Sequence, residues 1–345
     1  MHVRSNSLNS FRSAACALVA FACGPLAAGP AVAKASYVTF DGSATSINSG
    51  DAAAGYIEIA RGIYDGFLRT PDGTVTTFAV SGSNDTEALS INDAGEIAGI
   101  YLDSADAAHG FVRAVNGTIT TFDGPNASFT VASSINNRGE ITGYYYAENV
   151  GLDGFVRKAS GRIVSFDVPG SVATYPTCIN DRGVVVGAYD DTSAHGFIRA
   201  ADGAFTTFDV SGAAATYPIC LNAKGVVAGY YAVEGGSGSG FLRTPDGTIT
   251  TFGGQDCPAR VNYPVYVTSI NRKGDITGSC AERDHIRHAI GFLRHADGTF
   301  QKFHVLQQGP NTWPSGINNA GVIVGTDANG SFLRFPSRQQ DEMRH

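Results

Sequence analysis

The sequence predicts an all-β fold, a seven-bladed β-propeller closed by pairing of its N-terminal and C-terminal strands. Three observations predict it. A unit recurs seven times with separations of 44, 44, 44, 42, 49 and 47 residues, measured between equivalent asparagines. Each unit carries four short strand signals, as propeller blades do. The first and last strand signals of the chain are orphans that together make up a missing part of one unit.

Four landmarks define the unit. The first ends in Ile-Asn or a variant, at Asn48, Asn92, Asn136, Asn180, Asn222, Asn271 and Asn318. The second is a glycine-bearing strand, as in Ile97 to Tyr101 or Val184 to Tyr189. The third is Gly-Phe-aliphatic-Arg, ending at Arg69, Arg113, Arg157, Arg199, Arg243, Arg294 and Arg334, with Ser331 replacing Gly in the last copy. The fourth ends in Phe40, Phe78, Phe122, Phe166, Phe208, Phe252 and Phe303.

Turns order these strands. Asn92-Asp93-Ala94-Gly95 and Thr70-Pro71-Asp72-Gly73 fit a type I turn followed by a left-handed glycine. Asn bonds its own backbone, Pro presets its position, and Gly takes the positive φ at little steric cost. Landmarks one and two therefore form one hairpin, and three and four another. Arg69 and Phe78 are joined by too short a turn to change blades. The blades then run 43–80, 86–123, 130–168, 173–210, 215–253 and 264–304, with 312–334 completed by 36–41. Landmark one is the inner strand and landmark four the outer. An open β-solenoid is the alternative, and it would not need the chain ends to meet.

Composition suits this reading. The chain has 345 residues with 43 Gly, 20 Phe and 14 Tyr, and only 16% charged residues, too few for a disordered polyampholyte. Residues 1–33 read as a bacterial signal peptide: Arg4 and Arg12, an apolar run from Ala14 to Ala22, and Ala31-Val32-Ala33 as the cleavage site. The propeller domain is 34–335, and the polar 336–345 is a disordered tail. Cleavage leaves 22 basic against 31 acidic residues, 22 − 31 = −9. That charge argues against nucleic acid and anionic membranes. No later stretch is apolar enough to span a bilayer. With the signal peptide, the chain is expected to be secreted or periplasmic, and it is expected to be a monomer.

His109-Gly110-Phe111 and His195-Gly196-Phe197, each preceded by I-N-x-x-G and a glycine-bearing strand, give the chain a resemblance to the HAF-type bacterial extracellular repeats. It covers about 36–334, with Gly in place of the signature Ala and His in two copies. The resemblance implies export and repeated β structure. It brings no catalytic residues.

The seven arginines occur once per blade, which argues for a structural task. Each stem is expected to pack, and each head to bond a carbonyl or a carboxylate such as Asp123, Asp167 or Asp209. Function should lie where copies differ. Five positions before each landmark Asn stand Ser43, Glu87, Val131, Tyr175, Tyr217, Tyr266 and Trp313. Tyr175, Tyr217, Tyr266 and Trp313 thus form an arc at one channel mouth, a candidate site for sugars or peptides. Packing between blades is the structural alternative.

Cys257 and Cys280 each sit in an insertion of the sixth copy and are expected to form a disulfide. Cys178 and Cys220 occupy matching places in adjacent blades and are expected to be buried thiols, because packed sheets lie about 10 Å apart. Glu282, Arg283, Asp284, His285, Arg287 and His288 match no metal motif and read as a solvated loop. No cofactor motif and no catalytic constellation is found. The function expected is an extracellular binding module for a carbohydrate or a protein. A polysaccharide-acting hydrolase or lyase with carboxylates at the channel mouth is the rival.

Overall fold

The computed structural model describes residues 35–148, 150–253, 257, 265–281, 288–305 and 311–336. Residues 1–33, expected above to be a signal peptide, Lys34, residues 337–345 of the expected tail, Glu282 to Arg287, and most of the Gly253 to Val265 insertion lie outside these. The described residues form 28 strands and no helix.

The elements follow chain order. β1 (Ser36–Phe40) comes first, then β2 (Ser43–Ile47), β3 (Ala53–Ala60), β4 (Ile63–Arg69) and β5 (Val75–Phe78). The second repeat is β6 (Asp85–Ile91), β7 (Ile97–Leu102), β8 (Ala108–Arg113) and β9 (Ile119–Phe122). The third is β10 (Phe129–Ile135), β11 (Ile141–Ala147), β12 (Gly151–Arg157) and β13 (Ile163–Phe166). The fourth is β14 (Ala173–Ile179), β15 (Val185–Asp190), β16 (Ala194–Arg199) and β17 (Phe205–Phe208). The fifth is β18 (Ala215–Leu221), β19 (Val227–Val233), β20 (Gly236–Arg243) and β21 (Ile249–Phe252). The sixth is β22 (Tyr266–Ile270), β23 (Ile276–Ala281), β24 (Ala289–Arg294) and β25 (Phe300–Phe303). Last come β26 (Thr312–Ile317), β27 (Ile323–Asp327) and β28 (Gly330–Phe335).

Each repeat is an antiparallel meander. The third and fourth are joined into one eight-stranded sheet through a single pair, Leu152 with Ala173. No sheet of the described residues closes on itself. The final sheet has the order β1-β28-β27-β26, and Val38 stands opposite Leu333. The first segment of the described chain therefore supplies the outer strand of the last repeat.

Two glycine landmarks have steric causes. A Cβ on Gly187 of β15 would lie 2.1 Å from the Tyr175 carbonyl oxygen, at the bulge between Pro176 and Cys178. A Cβ on Gly196 would lie 2.8 Å from the Phe208 ring. The third-landmark phenylalanines, such as Phe197 and Phe241, are fully buried. Each meets the outer-strand ring of the preceding repeat edge-on, as Phe197 does Phe166 at 6.2 Å.

The landmark asparagines do two jobs. The Oδ1 of Asn180 accepts from the backbone amides of Arg182 and Val184 at 3.0 and 3.1 Å, capping its turn. Its Nδ2 donates to the carbonyl of Asn222 in the next repeat at 3.2 Å. The same bond runs from each landmark Asn to the next, and Asn318 donates back to Asn48 at 3.1 Å.

The arginine heads meet the expected carbonyls in five copies but not the expected carboxylates. In Arg69, Arg113, Arg199, Arg243 and Arg294, Nη1 donates to the carbonyl of the following residue, as Arg69 does to Thr70 at 3.3 Å, whereas Arg334 donates through Nη2 to Gln301 at 3.2 Å. Their guanidinium groups lie over the outer-strand phenylalanine of the preceding repeat, 4.7–5.0 Å from the ring centroid in all seven copies. None uses the carboxylates named above. Asp123 and Asp209 bind His109 and His195, and Asp167 accepts from Ser171 and Thr174. Stacking on a ring needs no acceptor for Nε, which is unbonded in Arg113, Arg157, Arg199, Arg243 and Arg334.

The cysteines correct a second expectation. Cys178 and Cys220 are a disulfide rather than two thiols, with Cα atoms 5.0 Å apart. Both stand two residues before a landmark Asn on inner strands, which converge well inside the spacing of packed sheets. Cys257 is bonded to Cys280, with Cα atoms 5.9 Å apart.

Candidate functional site

The inner strands start at one end of the body and finish at the landmark turns at the other. At the turn end, polar bonds ring an open cavity of about 200 Å³. Asn137 donates to Asp93 and Asp181 at 2.9 and 3.1 Å, and Arg272 reaches Asp181 at 3.3 Å. Burial opposes the charge on Asp93, but bonds from Ser49 and Asn137, with Arg272 nearby, hold its carboxyl below the usual range.

The starting end is aromatic. Tyr175 on β14 packs edge-on against Tyr144 of β11, with ring centroids 5.6 Å apart. Tyr144 meets Phe129 at 6.4 Å, and Phe129 stacks on Tyr146 at 5.9 Å. One repeat further on, Tyr217 lies 5.1 Å from Tyr230, which lies 5.4 Å from Tyr266. Tyr175 and Tyr217 are half-buried, and Tyr266 is 45% exposed.

Three of the four expected arc residues thus join two ring clusters. Trp313 stands apart from both, half-buried on β26 opposite Thr326. The cause lies on the second strands. Tyr144 and Tyr230 occupy the place opposite the arc position and link each inner ring to its neighbour. In the sixth repeat that place is Ser279, opposite Tyr266, so no ring continues the cluster. Sequence reasoning missed these linkers, whose signal was the Gly-Tyr-Tyr of Gly143-Tyr144-Tyr145 and Gly229-Tyr230-Tyr231.

Electrostatics set the two clusters' hydroxyls apart. Burial pushes the Tyr144 hydroxyl up to about 12, with Tyr175 adding to it. Burial pushes Tyr230 up to about 12 likewise, with Tyr266 and Tyr217 contributing. Tyr175 and Tyr217 are raised by burial first and by the Asp190 carboxylate second. Asp190 ends β15 opposite Ala173, level with this mouth. Its own carboxyl is raised by burial, with His195 opposing and Asp191 adding. These groups can stack on a flat ligand and offer it hydrogen bonds. Among the described residues no cluster of His, Cys, Asp and Glu is placed to hold a metal.

Two further sites flank the third strands. His109 is held by Asp123 at 2.9 Å and Asp103 at 3.4 Å, and stacks on Tyr101 at 5.0 Å. His195 is held by Asp209 at 2.8 Å and Asp191 at 3.1 Å. The His-Gly-Phe copies are therefore places where an imidazole bridges two carboxylates.

No protein-family model and no curated protein matches the sequence. Solved structures do resemble the fold. A virginiamycin B lyase from Staphylococcus aureus shares 14% identity over 87% of this chain and 98% of its own, with a TM-score of 0.61. A streptogramin B lyase shares 16% over 87% and 97%, with a TM-score of 0.59. The β-propeller domain of the Trilobed protease from Pyrococcus furiosus, which has an open velcro topology, shares 12% over 86% and 96%, with a TM-score of 0.58. At such identities the likeness speaks for fold alone, and the fold of this chain is that of a β-propeller.

Proposed function

We propose that this chain is an exported, seven-bladed β-propeller, closed by β1 against β28, that works as a binding module for an extracellular glycan or protein. The mouth where the inner strands begin is its binding face. The observation that carries this reading is the pair of tyrosine clusters there. Tyr175 and Tyr217 stand half-buried at the mouth, the more deeply set Tyr144 and Tyr230 back them, and Tyr266 extends them into solvent. Sugars and peptides are recognised by stacking and burial on such surfaces. The return of the asparagine bonds from Asn318 to Asn48 supports seven blades in a ring. Two disulfides suit an oxidising compartment, and the His-Gly-Phe repeats resemble those of the HAF-type extracellular proteins.

A glycan array probed with the protein from Lys34 onward tests the reading. Binding that disappears in a Tyr217→Ala, Tyr266→Ala double variant with an unchanged melting curve supports it. A double variant that melts far lower yet still binds would make these rings a packing feature only. Secretion is tested by N-terminal sequencing of the protein recovered outside the cytoplasm, with Lys34 the expected first residue.

A further inference from the structure

The two tyrosine clusters belong to adjoining repeats with no ring contact joining Tyr175 to Tyr217 among the described residues, and the chemistry of this gap differs from theirs. In the third and fifth repeats the second strand places Tyr144 and Tyr230 beside the inner strand. In the fourth repeat the same register position is Ala188, opposite Tyr175. No phenol therefore stands between Tyr175 and Tyr217. Two residues on, the same face of β15 carries Asp190. Among the described residues no side chain donates a hydrogen bond to its carboxylate. Its charge is felt by the hydroxyls on both sides of the gap, Tyr175 and Tyr217. The neighbouring charges are Asp191, which adds to the negative potential, and the imidazole of His195, which Asp209 and Asp191 already hold.

A half-buried carboxylate between aromatic faces, without a cation of its own, is complementary to a cationic group carried on a flat, hydroxylated body. We propose that the gap between Tyr175 and Tyr217 takes the free ammonium of an unacetylated hexosamine unit, with Asp190 as its partner and the two tyrosines stacking on the sugar. This inference rests on the glycan reading above and narrows it to amino-sugar polymers. Neutral glycans would keep the stacking and lose the charge-assisted bond.

Calorimetric titration at neutral pH with three tetrasaccharides tests it: β-1,4-linked glucosamine, its fully N-acetylated counterpart, and cellotetraose. The glucosamine tetramer is expected to bind roughly tenfold tighter than either neutral one, the size of one charge-assisted hydrogen bond. Asp190→Asn, nearly isosteric, should erase that preference while leaving weak binding to all three and an unchanged melting curve. Equal binding of all three by the natural protein would overturn the inference and leave the glycan reading standing. Binding of none would overturn both. A lysine tetrapeptide binding in place of the amino sugar would make the occupant a basic peptide and overturn the inference as well.

Discussion

Ser331 and Ala44 lie 287 residues apart, and the Ser331 hydroxyl accepts the Ala44 amide at 2.8 Å. The same hydroxyl donates to the Gly42 carbonyl at 2.7 Å. In five other repeats a buried threonine, such as Thr86 or Thr216, caps this connector. The first repeat has Gly42 in the threonine's place, and the last has Ser331 where the others have glycine. The two departures compensate each other. Restoring the repeat pattern with Ser331→Gly should therefore destabilise the protein, by about 1–3 kcal/mol for the polar groups left unpaired. Urea denaturation would read the loss.

The landmark amides predict a second outcome. Asn180→Asp keeps the acceptor that caps the turn but removes the donor to Asn222 and buries a charge. The expected loss is about 1–3 kcal/mol at neutral pH. It should shrink in acid, where the new carboxyl protonates and can donate again. Melting curves across pH would show a difference that narrows as pH falls.

Glycines at two landmarks should not respond alike. At Gly196 the obstacles to a Cβ are two side chains, the edge of the Phe208 ring at 2.8 Å and the Pro218 ring at 2.9 Å, which can shift a little. Gly196→Ala should cost about 1–3 kcal/mol, as overpacking does. At Gly187 the obstacle is a backbone carbonyl 2.1 Å away. Gly187→Ala should cost more and break the pairing of β14 with β15. Denaturation of the two variants side by side checks the order.

The disulfides should both form and both stabilise. Cys178 and Cys220 are 42 residues apart and Cys257 and Cys280 are 23. Chain-entropy arguments assign each about 3–4 kcal/mol. Non-reducing peptide mapping should find both bridges, and reductant should lower the melting temperature. A double Cys178→Ser, Cys220→Ser variant should lose the larger part of that response.

His195 titrates above its ordinary 6.5, chiefly through its hydrogen bond to Asp209, against burial, with Asp191 helping. A pKa raised by folding stabilises the protein in full below the unfolded value. That stabilisation fades as pH rises through the folded value. Imidazole NMR should show a midpoint above 6.5, and Asp209→Asn should bring it down.

Most of the candidate face was legible only in part. Tyr175, Tyr217 and Tyr266 stood out because they broke the repeat, whereas Tyr144 and Tyr230 sat on a strand read as scaffold. Trp313 shared their spacing but not their surroundings, since Ser279 ends the run of rings before it. Spacing places a residue along its own strand, but a ring contact also needs the neighbouring sheet to supply its partner.

What the sequence by itself determined was local: the period, the turn chemistry, the order of strands within each repeat and the match between Tyr37 to Asp41 and the end of the chain. These follow from glycine's access to positive φ, from the alternation of strand side chains, and from turns too short to reach another sheet. The tertiary structure decided what touches what between repeats. It set Arg69 over Phe40, joined Cys178 to Cys220, and brought Asp190 near enough for its charge to be felt by both Tyr175 and Tyr217. Those contacts depend on how closely adjacent sheets converge, a distance that arises only when all the repeats pack together.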